Sequence, residues 1–479
     1  MSNGTTNANR LLWAGFVAIL AAGVGFGVRG GILSDWGTQY GFTQTELGEV
    51  TGFGLVGFGV VILIGALLAD VVGYGKLMVS AFLCHFVSAV LTLFATAAFA
   101  KGGKDAAYQC LKWGMILFSV GNGLAEAVVN PLVASLFPKN RTHYLNILHA
   151  GWPAGLVLGA LASYFMVGKA RWEIQWALFL IPVVLYGLMC LGQHFPKSEA
   201  SEKGVGFGDM LAEFAAPLLL VLLFIHALVG YVELGTDSWI SNITGNIMAS
   251  PQKGLLLFVY TSMLMFLLRF VAGPIVHRIS PVGLLFVSAI FGAVGLSLLG
   301  RAETGIMCVF AATVYGIGKT FLWPTMLGVV SDRFPKGGAI TIGAIGGVGM
   351  LSAGFLGGPG IGYKQDYFAS THLKEQAPAV YEAYKAPNQN QFLVFPPIVG
   401  LDGSKVGAVR GKDAAQRTPD EAKVHEADLH GGKTALKVTA AVPATMAVLY
   451  LLILLYFKAK GGYKAVHIEG SGHQAHEVA

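Results

Sequence analysis

Val50-Thr-Gly-Phe-Gly-Leu-Val-Gly-Phe-Gly-Val-Val-Ile-Leu-Ile-Gly-Ala-Leu-Leu-Ala69 runs for twenty residues without a charge, framed by Glu49 and Asp70. Wound as a helix it reaches about 30 Å, the thickness of a bilayer's hydrocarbon core. The rest of the chain is made of the same material. Hydrophobic residues are 54% of the 479 and charged residues 12%, roughly half the charged share of a soluble domain. A water-soluble fold this apolar would lack the polar groups to cover its surface, so the sequence implies an all-α membrane protein. The 65 glycines fit, because small residues let membrane helices approach closely. The net charge of +6 is spread over short loops, where it orients the chain in a bilayer instead of binding nucleic acid. Cys84, Cys110, Cys190 and Cys308 fall in apolar runs and read as packing residues, not a disulfide set. The polar start at 1–10 leads into an apolar run that reads as a membrane helix, not a cleavable leader.

Outward from that stretch, twelve apolar runs predict membrane helices. Six lie at 11–33, 47–71, 76–100, 109–136, 143–168 and 173–195, and six at 212–240, 253–277, 281–300, 304–331, 338–362 and 436–458. The division is a six-helix bundle over 1–196, a polar cytoplasmic linker at 197–210 and a second bundle over 211–479. Lys76, Lys139 with Arg141, Lys197 with Lys203, Arg278, Arg333 with Lys336, and Lys458 with Lys460 occupy alternate loops or the C-terminal end. The positive-inside rule then places both termini in the cytoplasm of a cell (inner) membrane. A polar insertion at 363–434 falls on the extracytoplasmic side by this count, and a segment that long is functional, a small subdomain or disordered. The cytoplasmic tail carries His467, His473 and His476, read as solvated residues with no metal; no cofactor is expected.

The two halves echo each other. Gly65-Ala-Leu-Leu-Ala-Asp70-Val-Val-Gly73-Tyr-Gly-Lys76 closes helix two, and Arg269-Phe-Val-Ala-Gly273-Pro-Ile-Val-His277-Arg278 closes helix eight. Asn130-Pro131 leads to Phe137-Pro138-Lys139 in helix four, and Trp323-Pro324 to Phe334-Pro335-Lys336 in helix ten. Repeated halves around a central site are how many transporters alternate access. Residues 65–76 resemble the helix 2–3 signature of the major facilitator superfamily, with Asp70 as its acidic residue and Val71 where the family carries an arginine. Gly123-Leu-Ala-Glu126-Ala-Val-Val-Asn130-Pro131, with Leu145-Asn146-Ile-Leu-His149 and Tyr231-Val232, is similar to the fucose–proton symporter group within it. The resemblance implies two pseudo-symmetric six-helix bundles, a monomer, and a central cavity lined by helices one, four, seven and ten.

Ionisable side chains inside membrane helices are costly and mark function by default. Arg29 lies on helix one, Glu126 on four, Glu233 and Asp237 on seven and Lys319 on ten, the helices that the resemblance assigns to the cavity. Glu126 and Asn130 are four apart and share a face, as do Glu233 and Asp237. Asn146, His149 and Trp152 share a side of helix five. A carboxylate beside an amide and an aromatic ring suits a hydroxylated substrate, since Asn bonds hydroxyls in both directions and Trp offers a flat surface. Glu126 and Glu233 are thus the expected proton carriers. Arg29, Asn130, Asn146, His149, Trp152, Asp237, Lys319 and Trp323 are the expected substrate contacts. Asp70 and Arg269 read as gate residues at the cytoplasmic end.

The leading expectation is a proton-coupled transporter of a small sugar, with substrate, protons and lipid as its partners. Helix one carries no carboxylate to share the proton work. A cavity holding Arg29 and Lys319 fits instead an organic anion such as a sugar acid. A non-transporting receptor that senses through the insertion is the reading from another class. No motif such as His-Glu-x-x-His supports an enzyme.

Overall fold

The computed structural model describes residues 6–42, 44–166 and 169–468. His473 and His476 lie outside the described residues. Among the described residues, twelve helices are long and apolar enough to cross a membrane. In the first bundle these are α1 (Ala8–Leu33), α2 (Glu46–Val72), α3 (Tyr74–Leu93), α4 (Ala95–Leu136), α5 (Arg141–Met166) and α6 (Trp172–Cys190). In the second they are α7 (Pro217–Ile247), α8 (Pro251–Arg269), α9 (Pro281–Leu299), α10 (Gly305–Arg333), α11 (Pro335–Gln376) and α12 (Pro419–Ala459). All twelve expected runs correspond to helices. The winding of α1 continues to Tyr40, and α4 begins at Ala95, ahead of the apolar run, with a break at Gly103 (φ 69°). With an even number of crossings, the start of α1 and the end of α12 lie at one end of the bundle, the end bearing the termini.

Glycine sets the tightest approach in the first bundle. Gly23 and Gly27 of α1 face Gly155 and Gly159 of α5, and a Cβ added to Gly159 would stand 2.6 Å from the Val24 carbonyl oxygen. Each packing surface is bare backbone because any side chain would part the helices.

Residues 363–434 are folded. The helix of α11 runs on to Gln376 and that of α12 starts at Pro419, so both extend beyond the apolar runs. Between them come Pro378–Tyr384, Gly403–Arg410 and the antiparallel bridges Lys385 to Leu401 and Asn390 to Ile398. Leu373, Val380, Tyr381, Val406, Val409 and Val424 form a separate small core for this subdomain. Thr418 and Glu421 close a reciprocal cap at the start of α12, which explains why so polar a segment winds there.

At the end bearing the termini the two bundles are tied. Arg141, at the start of α5, donates from Nη1 to the Ser331 carbonyl (2.7 Å) and from Nε to the Ala134 carbonyl (3.3 Å). Its Nη2 pairs with Glu199 of the linker, and Asp332 of α10 stands 3.8 Å from Nη1. The C-terminal segment then crosses this corner. Tyr463 donates to the Asp332 carboxylate (3.1 Å) and the Val466 amide to the Asp332 carbonyl (2.7 Å). Arg333 bonds the Lys464 carbonyl, and Lys203 of the linker bonds that of Ile468 (3.3 Å). The Ile468 side chain is buried with Ala200, Met210 and Ile340.

Candidate functional site

A cavity of about 370 Å³ lies between the bundles, in the half remote from the termini. Its walls come from the later parts of α1, α5 and α7 and the first turns of α2 and α8, including Phe26, Arg29, Trp152, Asp237 and Phe258. A much smaller pocket adjoins it on the side of the termini, sharing Trp152 and Leu234 and lined by Glu126, His149, Glu233, Arg269 and Trp323. Most of the residues expected at the site are therefore brought together, on two levels.

The lower level is a chain of buried polar groups. Asn130 Nδ2 donates to Glu126 Oε2 (3.0 Å), and Asn130 Oδ1 meets His149 Nε2 (2.9 Å). Arg269 fills the space between the bundles. It donates to the His149 carbonyl (2.5 Å), the Thr320 carbonyl (2.9 Å) and Glu233 Oε1 (3.0 Å). Arg269 and Glu233 are 1% and 3% exposed in their side chains, so each charge depends on the other. Above them Lys319, fully buried between the rings of Tyr315 and Phe258, is paired with Asp237.

Two charged groups have no such partner. Among the described residues, Glu126 makes no ion pair, only the bond from Asn130. Arg29 likewise has no carboxylate beside it. Its Nη1 is buried without a hydrogen-bond partner, and the guanidinium lies 4.4 Å from the centroid of the Phe26 ring, on the cavity wall. Gly54 of α2 provides the room, for a Cβ there would come within 2.8 Å of Nη1.

Three expectations need correcting or refining. Arg269, expected to share a gate with Asp70, does not lie at Asp70's end of the bundle: helix α8 carries it into the central cluster with Glu233 and His149. Asn146 does not face the cavity; it is fully buried, bonding the Thr142 carbonyl (2.8 Å) and Thr325 Oγ1 of α10 (3.2 Å). It is a contact between the closed parts of the bundles. Trp323 reaches the small pocket but chiefly packs on His226, ring centroids 4.6 Å apart. Asp70 does sit at the end bearing the termini, its carboxylate oxygens buried without a partner near Gly338 at the start of α11's helix, where a helix N-terminus favours negative charge.

Sequence reasoning missed Arg141, Glu199 and Asp332, which tie the bundles. In the sequence Arg141 reads only as a loop charge, and nothing local announces a partner 58 residues away. It missed the aromatic walls Phe26 and Phe258 because, in a chain this apolar, a cavity ring and a lipid-facing ring look alike.

Residues 15–358 match the family model of the Major Facilitator Superfamily. The cis,cis-muconate transport protein of Acinetobacter baylyi (strain ATCC 33305 / BD413 / ADP1) is 24% identical over 177 residues, 36% of this chain and 40% of that protein. The match thus spans less than half of that relative's length. Among solved structures, FucP, a Major Facilitator Superfamily transporter in the outward conformation, aligns with a TM-score of 0.64 at 13% identity, over 92% of this chain and 98% of that one. The proton:xylose symporter XylE aligns at 0.65 and 14%, over 93% and 95%. The human organic anion transporter MFSD10 aligns at 0.60 and 15%, over 93% and 100%. At such identities the likeness is one of fold.

Proposed function

This chain belongs to the major facilitator superfamily, and from that premise we propose that it is a proton-coupled transporter of a small organic anion, with Arg29 as the anion's counter-charge and Glu126 as the proton carrier. The observation that carries this reading is Arg29, half-buried on the cavity wall with no carboxylate beside it among the described residues. A lone cation in a partly dry cavity is costly, and a substrate carboxylate relieves it through two parallel hydrogen bonds. Lys319 and Arg269 cannot serve in the same way, being held by Asp237 and Glu233. Glu126 is the complementary case: among the described residues no cation is bonded to it, Arg269 being held by Glu233, so charging it is expensive and gaining and losing a proton is its way of changing state. Loading Glu126 while an anion neutralises Arg29 leaves both levels of the site without net charge. That is the condition under which the bundles rock and the cavity opens to the other side.

This reading promotes what the sequence offered as an alternative. The relative named for muconate transport, and a human fold neighbour named for organic anions, lean the same way. The sugar reading has the likeness to FucP and to the xylose symporter XylE on its side. The termini belong in the cytoplasm, which makes the cavity face outward, and a monomer suffices for the cycle.

The test is uptake into proteoliposomes. With wild-type protein, an inward proton gradient should drive accumulation of a radiolabelled organic acid. Glu126→Gln should abolish accumulation against a gradient while leaving acid-for-acid exchange measurable. If gradient-driven accumulation survives in Glu126→Gln at the wild-type rate, the coupling role is lost. If xylose or fucose accumulates and no acid does, the anion reading is lost.

A further inference from the structure

Hydrogen-bonding capacity is scarce in the cavity. Among the described residues, and apart from Arg29, the paired Asp237 and the single indole N–H of Trp152, the polar side chains on its walls are Thr51, Ser238 and Ser241. Two of these hydroxyls already commit their one proton to their own helices and are left as acceptors: Thr51 donates to the Leu47 carbonyl (2.8 Å) and Ser238 to the Leu234 carbonyl (3.0 Å). The amides expected to meet sugar hydroxyls, Asn130 and Asn146, are bonded elsewhere and do not line it. The rest is apolar and in part aromatic. Phe26 and Trp152 meet at 5.2 Å and 56° on the wall of the first bundle, and Phe258 stands on the wall of the second.

Resting on the anion reading above, we propose that the substrate is a flat, apolar monocarboxylate of the aryl or alkenyl class, its carboxylate on Arg29 and its body between the Phe26–Trp152 wall and Phe258. Each half of the statement has its own reason. A hydroxylated acid would bring a ring of hydroxyls into a cavity with almost no free partners for them, and unpaired polar groups in a closed site discriminate strongly. A dicarboxylate would bring a second charge where, among the described residues, no second free cation exists, because Lys319 and Arg269 are already paired. A flat apolar body matches the rings and gains by leaving water.

The experiment is calorimetric titration, with thermal unfolding in parallel, of the purified full-length protein in detergent. The probes are benzoate, terephthalate, glucuronate, benzyl alcohol and xylose. Benzoate should bind and raise the melting temperature, with terephthalate, glucuronate and benzyl alcohol each at least about tenfold weaker. Arg29→Gln should weaken benzoate by about tenfold or more, the loss expected for a charge-assisted bond. Should Arg29→Gln fail to fold, Gly54→Ala keeps the charge but crowds its seat and should also weaken benzoate. Tighter binding of glucuronate, with the dependence on Arg29 intact, would overturn the apolar body while leaving the anion reading standing. Tighter binding of terephthalate would overturn the single charge. Binding of xylose alone would sink both this inference and the reading beneath it, and a folded protein that binds none of the acids would sink this inference.

Discussion

Replacing Arg269 by alanine would strip Glu233 of its ion-pair partner and the His149 carbonyl of a donor, inside a region closed to water. Removing one member of a buried pair costs about 3–5 kcal/mol, because the other charge stays behind. Arg269→Ala should therefore lower the thermal midpoint in detergent sharply, and Arg269→Met combined with Glu233→Gln should recover much of the loss. A double variant as unstable as the single one would show that Arg269 matters for its contacts with the carbonyls of His149 and Thr320 instead. The sequence made the presence of these residues legible, since each is an ionisable group in an apolar run. It did not make their partners legible. Glu233 was grouped with Asp237 by spacing, yet each pairs with a cation from a different helix. That Arg29 has no carboxylate beside it among the described residues is a property of three dimensions alone.

Among the elements, α1 and α5 are joined along facing glycines. Gly159→Leu should wedge them apart and destabilise the first bundle, read as a lower melting temperature and loss of the monodisperse peak in gel filtration. The same change at Gly208, where an added Cβ would meet nothing within 4 Å, should be nearly silent. Arg141 ties α5 to the linker and to α10. Arg141→Ala should favour the state open toward the termini, seen as faster labelling of a cysteine introduced at Thr142 and slower labelling of one at Ser241. Unchanged labelling at both sites would remove Arg141 from the closure. The twelve crossings were legible because apolar runs of membrane length have one main physical use. The helical ends of the insertion were not, because α11 and α12 leave the apolar runs behind and continue on a polar sequence. Their winding there rests on the cap at Thr418 and on the small core around Val380 and Val424, and neither has a periodicity strong enough to read beforehand.

For the whole molecule, the segment from Tyr463 to Ile468 lies across the joint between the second bundle and the linker. Ending the chain at Gly462 should loosen that joint, and spin labels placed on α5 and α10 at the same end should report a broader, longer distance distribution. Distances unchanged from the full chain would mean the segment merely rests there. The insertion bears on motion differently. It is built on helical extensions of α11 and α12, and the 19-residue helix Gly358–Gln376 alone is about 28 Å long. A tilt of the second bundle should be passed along these extensions to the insertion, whose far tip would then sweep a wider arc than the residues within the lipid. A fluorophore on Ser404 would act as the needle of a gauge, and an antibody fragment clasping that tip would work as a brake, without entering the cavity.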